Sequence, residues 1–259
     1  MIIKLYFRMK GLIFIRKFPD NFSLEETTLW SFPDRGKWAT HSGAYRGNWS
    51  PYVPRNLILR YSKSNDWILD QFLGSGTTLI EAKLLGRNAI GVDVNPEAIK
   101  LSNTNLNLSN EFNSKIFIRK GTASDLSFIK DESIDMICTH PPYADIIKYS
   151  QGISEDLSHL SYENFLQAMR KVAQESYRVL KTNSVCAFMI GDVRKNGYVQ
   201  PLGMDTMNIF IESGFRLKEI IIKEQHNCRS TEYWKYKKKS FLLLAHEYIF
   251  VLEKGKKLM

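Results

Sequence analysis

The sequence predicts an α/β fold in which short buried strands alternate with helices and a ligand sits at the strand ends. Three segments carry that prediction. Trp67-Ile68-Leu69 reads as a buried strand, residues 70–78 (Asp-Gln-Phe-Leu-Gly-Ser-Gly-Thr-Thr) as a glycine turn, and residues 79–85 as a helix with an apolar face. A strand running through a glycine turn into a helix brings backbone N–H groups to one point at the sheet edge; Gly74 and Gly76 permit close approach and positive φ. Ala89-Ile90-Gly91-Val92-Asp93 is a second apolar strand, and its terminal acid lies 17 residues after Gly76, near the spacing at which a carboxylate grips ribose hydroxyls. Ile134-Asp135-Met136-Ile137-Cys138 is a third, and it ends in Thr139-His140-Pro141-Pro142-Tyr143. Two prolines remove two backbone donors, forbid helix and leave a rigid extended loop where open α/β sheets bind ligands.

The other elements follow in chain order. Residues 1 to about 30 read as a strand or two followed by an irregular arm. Residues 31–56 are rich in Gly, Pro, aromatic and basic residues and read as loop. Asn95-Pro96 opens a helix that runs to about residue 106, with proline in its first turn. Residues 115–120 form a strand, 162–180 a long amphipathic helix, 184–190 a strand and 204–213 a helix, and 215–223 and 246–253 a final antiparallel pair. The chain is divided into an arm, residues 1–53, and a main domain, residues 54–259, within one globular unit.

The motifs narrow the ligand. The turn lacks the third glycine of the dinucleotide spacing and any Gly-Lys-Ser/Thr, so it suits a nucleoside without pyrophosphate, a description that S-adenosylmethionine meets. Carbonyls of the double-proline loop can accept hydrogen bonds from an exocyclic amine, and Tyr143 offers a face for an unstacked base. Cys138 sits at an apolar strand end before Thr139, which favours core over nucleophile. Composition adds bounds. A formal charge of +9 is consistent with a polyanionic partner. The three cysteines, at 138, 186 and 228, have no metal spacing and suit a reducing, cytoplasmic setting. No uncharged run is long enough to span a membrane.

Residues 70–78 resemble the Asp-Pro-Phe-x-Gly-Ser-Gly-Thr-Thr cofactor motif of the DNA amino-methyltransferases, with Gln71 in place of the usual proline, and residues 140–143 resemble their Asp/Asn/Ser-Pro-Pro-aromatic catalytic motif. Gly91-Val92-Asp93 matches the ribose-binding acid, Arg178-Val179-Leu180-Lys181 a turn common in methyltransferases, and residues 247–254 their last core strand; the likeness covers roughly residues 55–254. It implies a Rossmann-like class I methyltransferase fold, a mostly parallel seven-stranded sheet with an antiparallel last strand, and S-adenosyl-L-methionine as cofactor. It implies cofactor contacts from Asp70, Phe72, Gly74, Ser75, Gly76, Thr77, Thr78 and Asp93, with a helix over residues 54–61 closing on the methionine end. Ser124 and Asp125 stand where the family places an acid beside the adenine ring, or else they cap a short helix. The catalytic positions are His140, Pro141, Pro142 and Tyr143. His140 departs from the family, but a neutral imidazole can still accept through one ring nitrogen. Thr139 before it is nearer the Thr-Ser-Pro-Pro pattern of the cytosine-amine branch, so cytosine N4 is favoured slightly over adenine N6.

The implied partner is double-stranded DNA, with a restriction endonuclease or specificity subunit as a further possibility. Arg46 and Trp49, with Trp38 and Arg55, either contact DNA or line the site, or else belong to a loop packed over the sheet edge. Tyr149 and Ser150 could border a flipped base. Arg229, Tyr233, Trp234, Lys235, Lys237 and Lys238, in a stretch that also holds His226, Tyr236 and Lys239, interleave cations for phosphates with rings for stacking. The competing functions are methylation of RNA or of a protein amide nitrogen, and an inert DNA- or cofactor-binding subunit.

Overall fold

The computed structural model describes residues 16–144, 148–227, 233, 235–237 and 240–255. Parallel strands need crossovers, and here helices supply them. β2 (Trp67–Asp70) leads through α2 (Thr77–Leu84) to β3 (Asn88–Asp93), and α3 (Pro96–Asn105) leads on to β4 (Ile116–Lys120). The chain then crosses back to the other side of β2 as β5 (Ile134–Thr139), and α4 (Tyr162–Val179) carries it to β6 (Leu180–Ile190). α5 (Leu202–Glu212) precedes β9 (Phe215–Glu224) and β10 (His246–Lys254). With β1 (Leu29–Trp30), the strand order is β1-β9-β10-β6-β5-β2-β3-β4. β10 is antiparallel to both neighbours, and the other pairings are parallel.

This is the expected seven-stranded sheet with its antiparallel last strand, extended at one edge by the two residues of β1, whose Trp30 is buried. A small hairpin, β7 (Val193–Lys195) with β8 (Tyr198–Gln200), adds to the elements read from the sequence. Its turn at Asn196-Gly197 has positive φ at both residues, the geometry of a tight two-residue hairpin. The strand order reverses between β2 and β5, and such a switch point opens a crevice at the carboxyl ends of the strands.

Helices cover both faces. α4 has buried Phe165, Met169, Val172, Ala173 and Ser176 at helical spacing, and it packs with α5 against one face; Ser161 caps its first turn. α1 (Tyr52–Tyr61) and α2 cover the other face through Val53, Leu57, Ile58, Leu79 and Ile80. α3 starts as its sequence dictates: the Asn95 side chain accepts from Glu97 N–H with Pro96 at the first position.

The segment before α1 is fastened to α2 by one buried carboxylate. Glu81 is fully buried, and it accepts hydrogen bonds from Trp38 Nε1 (2.7 Å) and Arg55 Nη1 (2.8 Å), with His41 Nε2 at 2.7 Å. The Arg55 guanidinium also lies 4.9 Å from the Phe22 ring centroid. Trp38 and Arg55 therefore belong to packing rather than to a nucleic-acid surface. Removing one member of a buried ion pair leaves the other charge stranded, so Glu81→Ala is expected to lower stability by about 3–5 kcal/mol, read from the urea midpoint. A midpoint at the wild-type value would overturn this role.

Candidate active site

The site grows from the last residue of β2. The Asp70 carboxylate accepts hydrogen bonds from Thr139 Oγ1 (2.7 Å), Thr78 Oγ1 (2.6 Å) and Phe72 N–H (3.1 Å). One side chain thereby joins the end of β5, the first turn of α2 and the intervening turn. Burial pushes the Asp70 carboxyl above its usual value, and the three donated hydrogen bonds oppose that rise.

Asp93, at the end of β3, faces the same turn. Its two oxygens accept from Gly74 N–H (2.8 Å) and Asn95 N–H (2.9 Å). Burial pushes its carboxyl up to about 6, against those two hydrogen bonds. Gly74 has φ +51°, which strains any other residue, and a Cβ there would press on Tyr45 Cε1 at 3.2 Å.

Between these strand ends lies a solvent-open crevice. Residues 70–74, 93–95 and 121–123 line it, together with His140 and Pro142 from the proline loop. Two segments meet across it. Tyr45, Gly47, Asn48 and Trp49 come from the arm, and Tyr149, Glu155, Asp156 and Leu157 from the segment after the proline loop. The rings of Tyr45 and Tyr149 stack at 6.3 Å, Asn95 Nδ2 donates to the Tyr149 carbonyl (2.9 Å), and Thr77 Oγ1 donates to Asn48 Oδ1 (2.6 Å).

Four carboxylic side chains line the crevice, those of Asp70, Asp93, Glu155 and Asp156, and its described lining contains no lysine or arginine. Such a wall disfavours phosphate and favours a cation. Aromatic surface, acids for hydroxyls and ammonium, and exposed backbone at the glycine turn fit a nucleoside carrying a sulfonium amino acid.

The proline loop forms the far wall. The His140 ring stacks on Trp49 (5.4 Å, 17° between planes) and meets Tyr143 edge-on at 5.5 Å. His140 Nε2 lies 2.9 Å from Tyr143 Oη, which donates to Glu247 Oε1 (2.6 Å); Lys223 Nζ donates to Glu247 Oε2 (3.0 Å). Burial drives the His140 imidazole down to about 4, so it is neutral at physiological pH.

The structure thus brings Asp70, Phe72, Gly74, Asp93, His140, Pro142 and Trp49 to one crevice. Pro141 is buried behind the loop, and Tyr143 reaches the site through His140. Ser75, Gly76, Thr77 and Thr78 shape the turn without lining the crevice: Gly76 holds φ +84° at the helix start, and the Ser75 carbonyl accepts from Asn105 Nδ2 (2.9 Å). Of the two alternatives open for Ser124 and Asp125, the structure favours the cap, since the crevice wall beside them is lined by Thr122 and Ala123. Asp125 is solvent-exposed and accepts from Ser127 N–H (3.0 Å), a turn cap rather than a ring contact.

Trp49 is 5% exposed, so it is a wall of the site and not an external DNA contact. Arg46 is exposed, as are Tyr233, Lys235, Tyr236 and Lys237, whereas Arg229, Trp234, Lys238 and Lys239 lie outside the described residues. Ser150 donates to Asp156 (2.6 Å). Cys138 is fully buried and its thiol is pushed well up by burial, which removes it as a nucleophile. Sequence reasoning missed Tyr45, Asn48, Glu155, Asp156, Glu247 and Lys223. The one signal among them was Glu247, an acid at the start of an apolar strand.

Fold and crevice together define the class of S-adenosylmethionine-dependent methyltransferases. A methyltransferase of this kind from Methanosarcina mazei superposes with a TM-score of 0.55 at 17% identity, covering 77% of this chain and 97% of that one. TrmN from Thermus thermophilus gives 0.53 at 18%, covering 81% and 50%. Within the class, the family model described as DNA methylase, of the N6/N4 type, matches residues 12–104 and 134–258, and the chain belongs to that family.

Among curated proteins it is 42% identical over 77 residues to the type II methyltransferase M2.DpnII of Streptococcus pneumoniae, covering 30% of this chain and 28% of that one. It is 53% identical over 58 residues to M1.MboII of Moraxella bovis, covering 21% and 22%. It is also 33% identical over 125 residues to a tRNA (guanine(10)-N2)-dimethyltransferase of Methanothermobacter thermautotrophicus, covering 48% and 35%. Each match therefore spans about a third or less of the curated relative's length. Among the described residues no helix is long and apolar enough to cross a membrane.

If the Asp93 carboxylate grips the donor, Asp93→Ala lowers S-adenosylmethionine affinity by roughly 10- to 100-fold, the loss expected for hydrogen bonds to a charged group. Protonation of Asp93 below about pH 6 should weaken wild-type binding in the same direction, whereas Asp93→Asn should be flat through that range. Calorimetry across pH 5–8 checks both; unchanged affinity in either variant at neutral pH would remove Asp93 from the donor site.

Proposed function

We propose that the chain transfers a methyl group from S-adenosylmethionine to the exocyclic amine of an unstacked base in double-stranded DNA, with cytosine N4 favoured slightly over adenine N6. The observation that carries this reading is the convergence of the double-proline loop and the glycine turn on one crevice, with a neutral imidazole at its far wall. The base nitrogen is the nucleophile, so no protein nucleophile is needed, in keeping with a buried Cys138. The cofactor supplies an electrophilic methyl group on a positively charged sulfur.

The residues of the chain do the rest. Asp93 and the turn backbone hold the nucleoside, and the carboxylates of the crevice favour the positive donor over its uncharged product. His140 accepts a hydrogen bond from the amine, which turns the nitrogen lone pair out of the ring and toward the methyl group. Trp49 shields the imidazole from water. The exposed Arg46, Lys235 and Lys237 are candidates for phosphate contacts, and Tyr233 for stacking. The site draws on the arm as well as the domain proposed at residues 54–259. A restriction–modification or orphan methylation system is the setting that the named type II relatives favour. A second reading, transfer to a base amine in RNA, is favoured by the tRNA-modifying relative.

The deciding experiment incubates the protein with isotope-labelled donor and either unmethylated DNA or RNA, then identifies modified nucleosides by mass spectrometry. N4-methylcytosine or N6-methyladenine from DNA is expected; label confined to RNA would overturn the DNA reading. His140→Ala is expected to lower turnover roughly 100-fold, the scale for losing one positioned polar group at a reacting centre, while donor affinity stays near wild type. Full turnover in that variant would remove the imidazole from the mechanism.

A further inference from the structure

The hydroxyl of Tyr143 carries one hydrogen. It donates that hydrogen to Glu247 Oε1 at 2.6 Å, so toward His140 Nε2, 2.9 Å away, it can only accept. Nε2 must then carry the ring proton, and a neutral imidazole protonated at Nε2 has its lone pair at Nδ1. Glu247 remains a carboxylate because it is held in turn. Burial would raise its carboxyl, but Lys223, the His140 ring and the hydrogen bonds from Tyr143 and Lys223 outweigh burial and keep it below its usual value.

The backbone enforces this order. Glu247 and Lys223 are direct cross-strand partners in the β10–β9 pair, and Lys223 also pairs with Trp30 of β1. Gly191, just past β6, leaves the room that Tyr143 occupies: a Cβ there would come within 3.2 Å of Tyr143 Cε2 and 3.5 Å of Glu247 Cγ.

We infer that Lys223, Glu247 and Tyr143 form a positioning chain that fixes His140 in the Nε2-protonated form and so presents Nδ1 as the acceptor for the substrate amine. The inference rests on the base-methylation reading for its last step only. The chain supplies what the family's carboxylate, carboxamide or hydroxyl oxygen supplies directly, a lone pair that can accept from the amine. In the other tautomer Nδ1 would carry a hydrogen and repel the amine it should orient.

Nitrogen-15 NMR of histidine-labelled full-length protein tests the inference without any turnover. The His140 signals are identified by their loss in His140→Gln. The expected wild-type result is a protonated Nε2 coupled to an unprotonated Nδ1, and an unprotonated Nε2 would overturn the proposal outright. Tyr143→Phe removes the acceptor, and Lys223→Met loosens Glu247; each is expected to give a mixture of tautomers and at least about tenfold lower turnover with unchanged donor affinity. An unchanged tautomer in both variants overturns the proposal, and the wild-type spectrum decides it even if a variant fails to fold. If the tautomer behaves as expected but wild-type protein methylates neither DNA nor RNA, the positioning chain stands and the base-methylation reading falls.

Discussion

The whole site hangs on the carboxylate of Asp70. A glycine turn and a double-proline loop are each unremarkable at a strand end, and what makes them one site is that Thr139 and Thr78 donate to the same buried side chain. Thr139 is the residue before His140, so the register of the proline loop relative to the turn is set by a contact one residue from that imidazole. The cost is burial of an acid, visible in its raised pKa, and three donated hydrogen bonds offset it. A hydrophobic residue of similar size would pack as well, but it would leave the two hydroxyls unpaired and the two loops free to move independently.

A second buried acid, Glu81, plays the matching role on the other side of the turn. By gathering Trp38, His41 and Arg55 it draws the arm down onto α2, and this brings Tyr45, Asn48 and Trp49 to the crevice mouth. The arm is therefore part of the site rather than an appendage. The charge pattern separates the two ends of the molecule's chemistry: carboxylates and no described lysine or arginine line the crevice, while cations lie on the exposed Arg46 and on the segment around Lys235. A protein of net charge +9 can thus attract a polyanion over its surface and still reserve an acidic interior for a cationic cofactor.

The sequence made legible what local chemistry dictates. The strands before the glycine turn, before Asp93 and before the prolines are apolar runs with punctuation at their ends, and they stand in the structure where those signals put them. Asn95-Pro96 marked a helix start for the same reason. What could not be read is set by contacts between distant residues. Trp38 and Arg55 look like a basic aromatic surface until Glu81 is placed between them. Ser124 and Asp125 have the right composition for a ring contact, yet the turn points Thr122 and Ala123 at the crevice instead. Glu155 and Asp156 sit in a polar segment with no periodicity, and only the packing of Tyr149 against the arm reveals why they matter.

His140 shows how a departure from a family pattern can preserve its chemistry. A carboxamide or hydroxyl oxygen accepts in any protonation state near neutrality, whereas an imidazole accepts only when neutral and only at one nitrogen. Both conditions are met by the surroundings and not by the ring. Burial against Trp49 holds the imidazole neutral, with Lys223 and Arg35 reinforcing that direction against Glu247. The Tyr143–Glu247 hydrogen bond then decides which nitrogen keeps the proton. On the proposed reading, a ring whose pKa lies near 4 cannot store the proton that the base amine sheds after methyl transfer, so that proton leaves to water. On that reading the imidazole acts through geometry, and the acidic crevice serves to select the positively charged donor.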